Sequence, residues 1–257
     1  EIDILSRVKS PYVLRSIGEI EDNMTEEIEG IKLELKEDNL RNLNIKDLTP
    51  GQTIRIIMSL IYGLECLHKS GFLHLDLKLL NCLYDYKNGM YTAYLSDFGF
   101  SLRCEDPYAG IIRKQRAGSL KYYPYEFLTP SNDYNFNDKS DVWSMGVTIL
   151  CFLGLNYTMS FKQDNTTDEK TKIVKNFWDN NSPQKLVHEH VNNSNLSERD
   201  KIDLIELLVN MLKKDTNERI SSGDFKKLRF YNNNTFDNTC YVSKPKEILY
   251  IPYSSYN

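Results

Sequence analysis

Residues 74–81 read His-Leu-Asp-Leu-Lys-Leu-Leu-Asn, and residues 96–99 read Ser-Asp-Phe-Gly. The first stretch sets a carboxylate (Asp76), an ammonium (Lys78) and an amide (Asn81) in one short loop. Asp97 adds a second carboxylate beyond a predicted hairpin. Runs near 82–86 and 91–95 flank Asn88-Gly89, a strong short-range signal for a two-residue turn. Taken singly, each polar residue suits an ordinary capped loop. Together they suit phosphoryl transfer, which needs an acid to orient a hydroxyl, a cation for the moving group and oxygen ligands for magnesium.

Upstream of the loop, Thr49-Pro50 joins an N-cap residue to a first-turn proline. It opens a long predicted helix with the stripe Ile54, Ile57, Ile61, Leu64 and Leu67. Residues 1–9 read as the end of an amphipathic helix, with Ile4, Leu5 and Val8 on one face and Ser10-Pro11 stopping it. Strands are expected near 12–20 and 29–36, separated by an acidic, turn-rich stretch. Beyond 139 the pattern turns helical, at about 139–154, 169–178 and 198–213. Residues 156–168 and the tail from about 231 are polar and asparagine-rich, so loop or disorder is expected. His188 and His190 flank Glu189, but alternate residues of a strand face opposite sides, which disfavours a metal site.

A chain of 257 residues, 40% hydrophobic, buries a sizeable core as one large domain or two lobes. Its net charge of -4 gives no sign of a nucleic-acid partner. The five cysteines (66, 82, 104, 151 and 240) are scattered, with no Cys-x-x-Cys, and read as free thiols in a reducing, cytoplasmic setting. The longest apolar run, 147–155, is too short to span a bilayer, so no membrane partner is expected. The chain opens on Glu1 and not Met, and reads as a fragment.

Residues 74–81 and 96–99 resemble the catalytic loop and metal-binding motif of eukaryotic-type protein kinases. Four distal stretches extend the likeness. Residues 118–126 (Gly-Ser-Leu-Lys-Tyr-Tyr-Pro-Tyr-Glu) resemble the end of the activation segment, and 141–146 (Asp-Val-Trp-Ser-Met-Gly) the start of the central helix. Residues 215–219 resemble the late Asp-Pro-x-x-Arg element, with Thr216 in the proline position. Residues 1–5 and 10–13 resemble helix C and its following turn. The likeness runs from residue 1 to about 230.

That resemblance implies an α+β, protein-kinase-like fold. Residues 1–36 would be a truncated small lobe, holding the end of helix C, two strands and the hinge. Residues 37–230 would be a mainly helical large lobe, and 231–257 a polar tail. It implies ATP and Mg2+ as cofactors and a protein substrate bearing serine or threonine. Asp76 would orient the substrate hydroxyl and accept its proton, Lys78 would neutralise the transferred group, and Asn81 would hold magnesium and brace Asp76. Asp97 would be the second metal ligand. Glu1 falls at the helix C glutamate, Leu33, Glu34 and Lys36 at the gatekeeper and hinge, and Leu83 at the floor of the adenine pocket. Asp141 would accept hydrogen bonds from catalytic-loop amides, and Arg219 would pair with Glu126.

The sequence also departs from the family pattern. No glycine-rich phosphate loop occurs in these residues and no lysine precedes Glu1, both of which lie upstream of helix C in the family. Leu75 stands where the catalytic loop normally carries arginine, so dependence on a phosphorylated activation segment is not expected. Arg113, Lys114, Arg116 and Lys121 make the end of that segment basic, through either a solvated face or a preference for acidic substrates. A serine/threonine kinase, a pseudokinase scaffold and a small-molecule phosphotransferase remain the alternatives, in that order.

Overall fold

The computed structural model describes residues 2–21, 28–156, 161–236 and 248–252. Glu1 lies outside the described residues. Helix α1 (Ile2–Arg7) buries Ile4 and Leu5, and Val8 follows them into the core. Strands β1 (Ser16–Glu21) and β2 (Ile28–Glu34) pair antiparallel through Glu19↔Ile31. The two-residue strand β3 (Asp38–Asn39) then carries the chain into the larger half.

There the long helix α2 (Pro50–Lys69) begins on a capping box, with the Thr49 side chain on the Gln52 amide and the Gln52 side chain on the Thr49 amide. Of its expected stripe, Ile57, Ile61, Leu64 and Leu67 are fully buried and Ile54 is half-buried. Gly63 sits within that stripe for lack of room: a Cβ there would stand 2.8 Å from the Tyr12 carbonyl oxygen. The close approach lets residues 12–14 lie along the hairpin below, where the Leu14 amide donates to Leu95 O and the Leu95 amide to Tyr12 O.

After β4 (Phe72–Leu73) come β5 (Cys82–Lys87) and β6 (Met90–Leu95), in register from Cys82↔Leu95 to Lys87↔Met90. Asn88 and Gly89 both adopt positive φ (54° and 79°), as a type I′ turn requires. β7 (Leu102–Arg103) pairs with β4, and β8 (Ile111–Arg113) with β9 (Tyr134–Phe136).

Helix α3 (Asp138–Phe152) is buried at every position but Lys139 and Cys151, which makes it the axis of the larger half. Helices α4 (Thr167–Asn180), α5 (Pro183–Asn192) and α6 (Glu198–Met211) surround it. Helix α5 departs from the strand expectation at His188–His190; on a helix two residues apart still diverge by about 200°. Part of the tail expected to be loop is ordered, in the short helix α7 (Arg229–Asn233) and in β10 (Ile248–Pro252). β10 lies antiparallel on the free edge of β2 through Leu249↔Leu33, so β2 is the central strand of the small sheet. The few short strands beside a helical larger half match the expected architecture.

Candidate active site

The loop between β4 and β5 is fixed from beneath by one carboxylate. Asp141, fully buried on the first turn of α3, accepts from the Leu75 amide on Oδ1 (2.8 Å) and from the His74 amide on Oδ2 (2.7 Å). The same Oδ2 accepts from His68 Nε2 at 2.9 Å, and His68 Nδ1 is bonded to Ser222 Oγ at 2.7 Å. Two consecutive amides aimed at one carboxylate bend the backbone sharply, and Leu75 takes the left-handed conformation at φ 66°. Such strain holds only where the surroundings over-determine it. Here Asp141 and the buried Leu75 side chain do so.

His74 ties this loop to the residues after β6. Its Nε2–H donates to Ser96 O (3.1 Å), and its Nδ1 accepts from the Asp76 amide (3.4 Å), so the ring is neutral. Burial pushes its pKa below the ordinary 6.5, and the carboxylates of Asp141, Asp76 and Asp97 only partly offset this. The Phe98 ring stacks obliquely on His74, with centroids 5.1 Å apart. Ser96 donates twice to Asn81 O, through its amide (2.9 Å) and its hydroxyl (3.0 Å). Asp97, next along the chain, is thus anchored beside Asn81.

Asp76 itself is buried. Oδ2 accepts from Lys78 Nζ at 2.6 Å and from Asn81 Nδ2 at 3.0 Å, and Asn81 Nδ2 also reaches the Asp76 carbonyl (2.9 Å). Oδ1 is buried with no hydrogen-bond partner among the described residues. A buried unmatched carboxylate oxygen is costly unless a donor arrives. Lys78 Nζ is held a second time, by Ser119 Oγ at 2.9 Å. Gly118 makes that possible: at φ 89°, a Cβ there would fall 2.0 Å from the Leu75 carbonyl oxygen.

The donor set fits a divalent cation. With its nitrogen committed to Asp76, the Asn81 amide offers its oxygen. Asp97 is exposed, has a left-handed backbone (φ 59°), and among the described residues makes only a long side-chain contact to the Gly99 amide, at 3.4 Å. Hard oxygen donors of this kind suit magnesium.

The distal elements close on the same frame. Arg219, 1% exposed, donates in parallel to Glu126 through Nη1 (2.9 Å) and Nη2 (2.7 Å), while its Nε reaches Lys213 O (2.9 Å) and its guanidinium covers Trp143. A model of the protein kinase domain matches residues 1–231, nearly the whole described chain. The chain belongs to the protein kinase family.

Among curated relatives, this kinase domain is 25% identical to serine/threonine-protein kinase TOS3 of Saccharomyces cerevisiae over 186 residues, 70% of this chain and 32% of that protein. It is 29% identical to mouse dual specificity testis-specific protein kinase 2 over 153 residues, 59% of this chain and 26% of that protein. It is 32% identical to serine/threonine-protein kinase pakG of Dictyostelium discoideum over 152 residues, 58% of this chain and 12% of that protein. The chain spans a third or less of the length of these relatives.

Of the residues expected at the hinge and adenine pocket, Leu33 is buried on β2, next to Glu34, and Leu83 is half-buried on β5 facing Tyr94 in register. Lys36 turns inward. Its ammonium pairs with Glu34 (3.0 Å) and Asp85 (3.2 Å) and lies over the Tyr94 ring, which leaves only its backbone for a base. Burial raises the Asp85 carboxyl, but the hydrogen bond from Lys87 and the charges of Lys36 and Lys87 outweigh it and hold the pKa below 3.8. Sequence reasoning missed His68, Ser222 and the Lys78–Ser119 contact, because partners 154 and 41 residues apart carry no local signal.

Proposed function

We propose that this chain is the catalytic core of a serine/threonine protein kinase, moving the γ-phosphoryl group of ATP to serine and threonine hydroxyls of other proteins. The observation that carries this reading is Asp76, with one carboxylate oxygen held by Lys78 and Asn81 and the other buried without a donor. A substrate hydroxyl supplies that missing donor.

In this reading Asp76 aligns the hydroxyl and takes its proton as the new O–P bond forms and the bond to the ADP oxygen breaks. Lys78 keeps positive charge beside the reacting groups. Magnesium, bound by Asn81 and Asp97, would neutralise the ATP phosphates. Leu33 and the backbone from Glu34 to Lys36 would bind adenine above Leu83, and Glu1 would complete the nucleotide site. The free thiols of Cys66, Cys82, Cys104 and Cys151 support a cytoplasmic setting.

Transfer from labelled ATP to mixed protein substrates, with analysis of the phosphorylated amino acid, tests the proposal. Asp76→Asn is expected to lower transfer by about 10²–10⁴-fold, the usual span for a lost general base, while magnesium-dependent stabilisation by ATP persists. Asp97→Asn is expected to abolish that stabilisation. Phosphotyrosine as the main product would overturn the serine/threonine assignment. Stabilisation without transfer would leave a scaffold instead.

A further inference from the structure

We propose that Arg116 is a positioning residue, a built-in cation that holds the activation segment against α4 where a phosphate would otherwise be needed. The inference rests on the kinase reading above and concerns how that site is kept assembled.

Between Ser101 and Ser119 the chain contains no serine or threonine, and Tyr108 is the only hydroxyl-bearing residue. Tyr108 is hydrogen-bonded to Ser222. The catalytic loop offers no cation at position 75, where a leucine side chain is buried. The segment is nevertheless tied down along its length. β7 pairs with β4, the Asp138 amide donates to Pro107 O (2.9 Å), and β8 pairs with β9 as far as Arg113↔Tyr134. The next tie is Arg116.

The Arg116 side chain is 9% exposed, which is unusual for an arginine on a segment whose residues 112–115 are all exposed. Its Nε donates to Tyr134 Oη (2.9 Å), its Nη1 to Thr171 Oγ1 on α4 (2.9 Å), and its Nη2 lies 3.7 Å from Asp168 on the first turn of α4. The Thr171 hydroxyl donates onward to Thr167 O (2.7 Å), so its lone pair is free for the arginine. The guanidinium also lies 5.2 Å from the Tyr134 ring centroid, and Tyr134 Oη in turn accepts from the Ser131 amide (3.0 Å). Two guanidinium nitrogens are hydrogen-bonded to hydroxyls on separate elements, while the third faces the exposed Asp168 carboxylate, a fork that an ammonium cannot copy.

Two residues later Gly118 lies against the Leu75 carbonyl, and Ser119 grips Lys78, which grips Asp76. Arg116 thus connects α4 to the reacting carboxylate through residues 116–119 and three hydrogen bonds, from Arg116 to Thr171 and from Lys78 to Ser119 and to Asp76. Releasing it lets Ser119 drift from Lys78, and small misplacements of such groups are costly.

The test uses Arg116→Ala, with Tyr134→Phe as the milder variant that removes one oxygen from the clamp. Both are expected to cut kcat, Arg116→Ala by about 10–100-fold, with KM for magnesium-ATP changed less than about twofold. Brief trypsin treatment is expected to cleave faster at Arg113 and Lys114 in both variants, and phosphatase treatment of the wild type to leave transfer unchanged. Wild-type rates and cleavage in both variants would overturn the proposal, as would loss of transfer after phosphatase treatment. A fall in kcat matched by a collapse of nucleotide binding in both variants would also overturn it, by showing general unfolding. If the wild type transfers nothing, the kinase reading fails, and the cleavage rates still report on the clamp.

Discussion

His74 shows how much chemistry one buried side chain settles. Its neutral ring links Ser96 to the Asp76 amide, and burial holds its pKa below 6.5. In the unfolded chain the ring regains an ordinary pKa, so below about 6.5 that chain binds the proton first. Stability from this source is complete above that pH and lost as the pH falls below it. The urea midpoint is expected to drop between about pH 7.5 and 5.5, and to drop less in His74→Gln; parallel curves would contradict the neutral assignment. Gly118→Ala belongs at the same scale. The new Cβ would meet the Leu75 carbonyl at 2.0 Å on a left-handed backbone, so something must shift. A cost of about 1–3 kcal/mol is expected by denaturant titration, together with a loss of transfer through the Lys78–Ser119 contact.

Helix α2 illustrates what an element owes to local signals. Thr49-Pro50 placed its start correctly, because a cap and a pre-set φ act within one turn. Thr49→Ala removes an oxygen acceptor from the Gln52 amide, and a loss of about 1 kcal/mol of stability is expected, read as a lower urea midpoint at unchanged slope. No change would mean that Gln52 holds the end alone. Helix α5 carried a related signal, Ser182-Pro183, and was missed because its polar surface outnumbers the buried Leu186, Val187 and Val191. β10 was missed for a different reason. Its run Ile-Leu-Tyr-Ile is short, and it becomes a strand on the edge of β2, more than 200 residues away.

At the scale of the molecule, the Arg219–Glu126 pair joins the helical turn Tyr125–Leu128 to the region after α6. Arg219→Met leaves Glu126 without its partner. Glu126 is 25% exposed, so water recovers part of the loss and about 3 kcal/mol is expected, the low end for a broken buried pair. The double variant Arg219→Met, Glu126→Leu is expected to regain stability over the single one, as measured by thermal unfolding. If it does not, the arginine acts by packing on Trp143 and by its bonds to Lys139 O and Lys213 O. The Lys36–Asp85 pair plays a comparable role after β2, fastening the end of the small sheet to β5.

The sequence alone determined the family and the motif residues, because Asp76, Lys78, Asn81 and Asp97 lie within 22 residues of one another around a hairpin whose turn is locally encoded. The Thr49-Pro50 cap, the Asn88-Gly89 turn and the stripe of α2 were readable for the same reason: each is decided by neighbours along the chain. Only the tertiary structure decided which further groups hold that set in place, namely His68 and Ser222 behind Asp141, Ser119 on Lys78, and Arg116 on α4. Those partners come from distant segments, and hydrogen bonding between buried polar groups depends on where folding brings them, which no local pattern records.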